Sequence, residues 1–234
     1  MDPLLAIAGL KKSYGEGGAH IDVLRGIDVS VGAGELCVLL GPSGSGKSTF
    51  LNLVGGLERA DAGSIEVDGT DLTTLSDRAL GEYRRAALGF VFQFYNLVED
   101  LTIRENIEVC QYLATDPLDV EDLLRSLGLW NQRDKFPPQV SGGQQQRCSI
   151  GRALVKKPKL LLCDEPTGAL DYETSKEILA LIEHVCHDFG CTTIIVTHNA
   201  AIGKMANRQL RLREGVLVKN RINSAPVAAR DLEW

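Results

Sequence analysis

The sequence predicts an α/β fold: a sheet built around a phosphate-binding loop, preceded by a β-rich region and interrupted by a helical lobe. Three observations carry this. The runs "ELCVLL", "KLLLCDE" and "CTTIIVTH" are apolar almost throughout, as strands buried on both faces should be. "GPSGSGKS" follows the first of them and leads into the helix-like "FLNLVGGL". The first third reads as strands and turns, roughly residues 86–155 read as helix, and strand and helix alternate again after Pro158.

The elements follow in order. "LLAIAGL", "IDVLRGIDVSV" and "GSIEVDGTDL" are short β-rich runs punctuated by Gly and Asp. "SDRALGEYRRA" opens on a Ser-Asp helix start, and "TIRENIEVCQYL" sets Ile103, Ile107, Cys110 and Leu113 on one helical stripe. "DVEDLLRSLGLW" is a further helix, and "FPPQ" stops the chain ahead of "VSGGQQQR". The helix opening there runs through Arg147, Ile150, Ala153 and Leu154. Beyond Pro158, "YETSKEILALIEHVCHDFG" is a helix ending at Gly190, and "RQLRLREGVLVKN" a hairpin turning at Glu214-Gly215. The tail, residues 221–234, reads as irregular, and no internal repeat is present.

Composition bounds the function. The 234 residues suffice for one large domain with a buried core. A hydrophobic share of 44% with 24% charged residues is an ordinary globular balance. The net charge of -6 argues against a nucleic-acid surface. No apolar run approaches the roughly 18 residues of a membrane span, and "MDPLLAIAGL" lacks the basic stretch of a signal peptide. The expectation is a cytosolic chain that reaches a membrane only through a partner. The six cysteines, at 37, 110, 148, 163, 186 and 191, form no CxxC pair and read as structural thiols.

Gly41, Pro42, Ser43, Gly44, Ser45, Gly46, Lys47 and Ser48 fit the P-loop pattern. Glycines let backbone N–H groups wrap phosphates, and the following helix adds partial positive charge. Lys47 would reach the β- and γ-phosphates, and Ser48 would hold Mg²⁺. Asp164, at the end of "KLLLCDE", delivers a carboxylate to that metal. Glu165 is not needed for that job, which makes it the candidate base for an attacking water. His198 ends a strand that, lying parallel, would finish on the same sheet edge. By themselves Gln93 is an ordinary polar residue, and Tyr14 either stacks on a base or is a strand aromatic. The glycines of "SGGQ" cost a helix about 1 kcal/mol each, so the pair behind Ser141 needs a reason.

A P-loop, then "SGGQ", then a strand ending in Asp-Glu, then a histidine strand: in this order the chain resembles the ATP-binding-cassette (ABC) ATPases over essentially its whole length. The resemblance implies a P-loop NTPase core with an antiparallel β subdomain and an inserted helical subdomain. It implies ATP bound by the P-loop and Thr49, Tyr14 stacking on adenine, and Mg²⁺ held by Ser48, Gln93 and Asp164. Glu165, His198 and Lys47 carry catalysis, with His198 as the switch histidine. Two cassettes pair head to tail, so Ser141, Gly142, Gly143, Gln144 and Asp171 meet the other chain's ATP. Val140, where Leu is commoner, and Gly168, where Ser is common, depart from the family pattern without removing a chemical group.

"FQFYNL", "DEPTGALD" and "LEW" are most similar to cassettes serving lipoprotein-releasing, macrolide- and peptide-exporting and cell-division permeases. The partner implied is a separate permease, with the cassette at the cytoplasmic face of the membrane. A non-transporting complex driving cell-wall machinery, or a soluble ABC ATPase, is the alternative.

Overall fold

The computed structural model of the chain describes residues 3–15 and 20–234; Met1 and Asp2, which open the segment read for a signal peptide, lie outside it. The first strands, β1 (Leu5–Tyr14) and β2 (Ile21–Val31), pair antiparallel. Their register slips beside Gly9 and Gly26, both at positive φ, a conformation glycine adopts without steric cost. β3 (Leu36–Leu40) then feeds α1 (Lys47–Val54). β4 (Ala62–Val67) and β5 (Thr70–Asp71) complete a four-stranded antiparallel sheet in the order β2-β1-β4-β5.

α2 (Asp77–Ala87) starts where the Ser76 side chain accepts from the Ala79 N–H, and it runs directly into β6 (Leu88–Val91). The helical lobe follows with α3 (Ile103–Gln111), α4 (Val120–Ser126) and α5 (Gly142–Leu154). Thr102 and Glu105 form a capping box on α3, and Asp119 caps α4. The core resumes with β7 (Leu160–Asp164), α6 (Tyr172–Asp188) and β8 (Thr192–Thr197). β9 (Arg208–Arg213) and β10 (Val216–Ile222) form the hairpin, with Glu214 and Gly215 both left-handed in its turn.

The second sheet has the order β10-β9-β3-β8-β7-β6, parallel throughout except for the β10–β9 pair. Its alternate side chains enter two different cores. Cys37, Leu39, Leu160, Leu162, Ile194 and Val196 pack with α1 and the antiparallel sheet. Val38, Leu161, Cys163 and Ile195 pack with α5, α6 and the lobe. A strand buried on both faces has no place for a polar alternate, which explains the unbroken apolar runs. Truncating one such residue, Leu161→Ala, costs about 2–5 kcal/mol.

The structure differs from the sequence expectation at three boundaries. Leu88–Val91, assigned above to the helical lobe, is instead the edge strand of the core sheet, paired in parallel with β7. Only four residues long and following α2 without a turn residue, it carries no punctuation to betray it. α3 stops at Gln111, so Leu113 leaves the helical stripe and is exposed. β10 reaches Ile222, and the tail beyond it folds back with Ala229 and Leu232 buried. Burial pushes the Cys148 and Cys191 thiols up to about 12, as inert structural thiols require.

Candidate functional site

Parallel register brings the candidate residues to one edge. Leu40 pairs with Thr197, and Asp164 with Val196. The loops leaving β3, β7 and β8 therefore emerge together at the carboxyl ends of the strands, where open α/β sheets bind ligands.

The P-loop is crowded from behind. A Cβ on Gly41 would lie 2.5 Å from Ser45 Oγ and 2.6 Å from the Leu212 carbonyl, and one on Gly46 2.8 Å from Leu24 Cδ2. Gly44 and Gly46 are left-handed, and Gly46 caps α1 without a side-chain bond. The first N–H groups of α1 are thus left to an external acceptor. Lys47 is only 8% exposed, and its Nζ donates to the Pro42 carbonyl at 2.9 Å. Ser45 Oγ is buried and has no hydrogen-bond partner among the described residues. An orphaned hydroxyl, free helix N–H groups and a tethered lysine fit a phosphate chain.

The acid side sits at the end of β7. Burial raises the Asp164 carboxyl above the ordinary carboxylate range; the Glu165 charge adds to this, while the Ser48 hydrogen bond and the Lys47 charge oppose it. A half-buried carboxylate beside a P-loop serine and lysine suits a divalent cation. Glu165 is left-handed at φ 45°, and its carbonyl accepts from the Gly168 N–H at 2.9 Å. Non-glycine residues enter that region at a cost of about 1–2 kcal/mol, and here the turn aims the side chain at β8. His198 Nδ1 lies 3.0 Å from Glu165 Oε1.

Gln93 follows β6 and lies against the same turn: a Cβ on Gly168 would stand 2.9 Å from its Nε2. The glycine at 168, where serine is common, gives that amide room. Tyr14 ends β1 partly exposed, with its hydroxyl donating to the Glu58 carboxylate and Lys12 Nζ 5.3 Å from its ring centre. Thr49, in the first turn of α1, lies beside it.

The "SGGQ" residues form a second group. Ser141 caps α5 by accepting from the Gln144 N–H at 3.3 Å, and the Gln144 side chain accepts from the Ser141 N–H at 3.0 Å. Asp171 caps α6 through the Thr174 N–H and hydroxyl. A Cβ on Gly142 would meet the Tyr95 hydroxyl at 2.8 Å, and one on Gly143 the Thr174 methyl at 2.5 Å. The two glycines therefore have a reason inside one chain: the tip of α5 is pressed against α6 and against the loop after Gln93. Among the described residues no hydrogen bond joins this group to the P-loop group.

Two residues here, Thr174 and Arg152, were not singled out in the sequence. Thr174 sets the glycines together with Tyr95, and Arg152 of α5 donates to the Tyr95 and Asn96 carbonyls at 2.9 and 2.6 Å. It thereby pins two consecutive left-handed residues. An arginine on an otherwise buried helix stretch was the one signal available.

The family profile described as "ABC transporter" matches residues 24–168, from β2 through the P-loop and "SGGQ" to Gly168. The chain belongs to the ABC transporter family. The macrolide export ATP-binding/permease protein MacB of Shigella flexneri is 42% identical over 225 residues, which cover 94% of this chain and 35% of the relative. MacB of Escherichia coli (strain K12) matches at the same identity and coverage. This ABC chain thus spans about a third of the length of these relatives. Among solved structures, the dimeric ATP-binding cassette MJ0796 bound to ADP and Pi superimposes with a TM-score of 0.85 at 32% identity, covering 93% of this chain and 98% of that one. The cassette cbiO1 from Clostridium perfringens, part of the ABC transporter complex cbiONQ, gives 0.83 at 26% identity, covering 94% and 88%.

Proposed function

We propose that this chain is the ATP-hydrolysing cassette of a membrane ABC complex that exports or extrudes a peptide, drug or lipoprotein. The supporting observation is the convergence of Lys47, Asp164, Glu165 and His198 on one sheet edge beside the orphaned Ser45 hydroxyl. Lys47 and the N-terminus of α1 bind the ATP phosphates. Ser48, Asp164 and Gln93 hold Mg²⁺, which when bound offsets charge on the phosphates. Glu165 takes a proton from water as its oxygen bonds to the γ-phosphorus and the bond to the bridging oxygen breaks, leaving ADP and phosphate. His198 orients Glu165, and Tyr14 supports the adenine.

Two copies pair head to tail, each presenting Ser141, Gly142, Gly143, Gln144 and Asp171 to the other's ATP. Mixing two inactive variants, Lys47→Ala and Ser141→Arg, tests this. A head-to-tail heterodimer then holds one doubly damaged site and one intact site, and up to about half the activity returns if the sites act independently. No recovery in cross-linked heterodimers sinks the arrangement.

The permease is a separate partner, and it holds the cassette at the cytoplasmic face of the membrane. No helix among the described residues is long and apolar enough to cross a membrane. A groove of about 410 Å³ between core and lobe suits a permease segment. Leu57, Phe90, Phe92 and Val109 supply its apolar lining, and Arg84, Arg152 and Lys156 its charge. Burial lowers the pKa of Arg152 and of Lys156, and among the described residues all three cations donate only to backbone carbonyls. An acidic residue on the docking segment matches that charge.

A further inference from the structure

The tail joins two segments distant in sequence, one following His198 and one following Asp171. At one end, Asn223 Nδ2 donates to the Lys204 and Ala206 carbonyls, both at 3.0 Å, and the Val227 N–H donates to Lys204 at 3.0 Å. Lys204 lies in the single 3-10 turn Ile202–Met205 that follows His198. The tail then crosses α6, where the Ala229 N–H donates to the Glu183 carboxylate at 3.1 Å and Ala229 and Leu232 are buried. It ends at the first residue of α6: the Tyr172 hydroxyl donates to the Leu232 carbonyl at 3.2 Å, and the Trp234 ring meets the Tyr172 ring edge-on at 4.8 Å. Tyr172 is next to Asp171, the cap of that helix.

We infer that residues 223–234 form a strap that ties the first turn of α6, and with it Asp171, to the 3-10 turn that follows His198, and that Tyr172 and Trp234 are positioning residues for hydrolysis. The physical ground is the exposure of that turn. Asp171, Tyr172 and Glu173 are all exposed, and a helix terminus held by one cap frays readily. The aromatic contact and the Tyr172 hydrogen bond add two restraints at the one end of α6 that carries a site residue. A misplacement on the order of 1 Å far from the chemistry is enough to slow a reaction severalfold or more. Lys176 Nζ, 5.2 Å from the Tyr172 ring, lies on the same side of the turn and adds a cation there.

The inference rests on Asp171 serving the dimer seam, and Asp171→Ala tests that role by itself. The strap is tested on the whole chain in two ways. Amide hydrogen exchange of the nucleotide-free chain reads the Thr174 and Ser175 N–H groups, and steady-state ATPase assays read kcat and KM. Trp234→Ala is expected to speed exchange at those amides while leaving the C-terminal half of α6 unchanged. It lowers kcat about three- to tenfold without changing KM for ATP, and Trp234→Phe restores both. Tyr172→Phe, which keeps the ring and loses the hydrogen bond to Leu232, gives the same pattern more weakly. Unchanged exchange in both Trp234→Ala and Tyr172→Phe overturns the strap, as does faster exchange with kcat intact. A fall in kcat matched by an equal loss of folded protein also overturns it, and if Trp234→Ala does not fold, Tyr172→Phe decides.

Discussion

His198 Nδ1 and Glu165 Oε1 stand 3.0 Å apart, although 33 positions separate them in the chain. A carboxylate only accepts hydrogen bonds, so the contact places a proton on Nδ1. In a neutral ring Nε2 is then an acceptor. It cannot donate to a phosphate oxygen unless the ring gains a second proton or turns away from Glu165. The base proposed for hydrolysis and the histidine proposed to orient it thus restrain each other in the nucleotide-free chain. Nitrogen-15 spectra of the imidazole should show the Nδ1–H tautomer in the nucleotide-free chain and lose that preference in Glu165→Ala.

Glu165→Gln keeps the shape of the side chain and removes the base. Hydrolysis should fall by about 10²–10⁴ while ATP and Mg²⁺ still bind, so the two cassettes accumulate as an ATP-held dimer. Size-exclusion chromatography with ATP reads this. A variant that stays monomeric, or that hydrolyses at the parent rate, removes Glu165 from its role.

Gly143→Ala separates the local reason for the glycine from the partner's. Its Cβ would lie 2.5 Å from the Thr174 methyl. Overpacking of this kind costs about 1–3 kcal/mol, against about 1 kcal/mol gained by alanine in a helix. The unfolding midpoint should not rise, as propensity alone predicts, and Thr174→Ser should recover the lost stability. That serine removes the methyl and keeps the hydroxyl that bonds Asp171. Hydrolysis that stays low after stability returns would point to a second role for the bare backbone, at the partner's ATP.

Asp164→Asn tests the buried carboxylate. Because burial raises its pKa in the fold, the ionised form is penalised there once pH exceeds the unfolded value, about 4. The nucleotide-free chain should therefore gain stability from the substitution at neutral pH. The gain should shrink as pH falls toward the unfolded value, where the native carboxyl is already protonated. Thermal melts across that range check the sign. Stabilisation by Mg²⁺ with ATP should be lost at every pH.

Phe94 is 72% exposed and Val98 48%, whereas Leu97 packs against the core and Tyr95 against Gly142. Of the apolar residues after Gln93, the first two are therefore the ones free to meet a partner. Phe94→Asp should leave folding and ATP binding intact and abolish co-purification with the permease. Tyr95→Ala should instead destabilise the isolated chain.

The P-loop, the strands of the parallel sheet and the Asp164-Glu165 pair were legible because each is a contiguous signal. A doubly buried strand shows itself as an unbroken apolar run, and a phosphate loop through glycines at fixed spacing ahead of a helix. β6 was hidden because four residues running straight out of a helix leave no periodicity to read. Tertiary structure alone decided the contacts between distant segments. It set Glu165 against His198, Thr174 and Tyr95 against the α5 glycines, Arg152 beneath the loop after Gln93, and the tail along α6. Those pairings depend on where separately specified elements come to rest on one another, and local pattern in the chain carries no record of that distance.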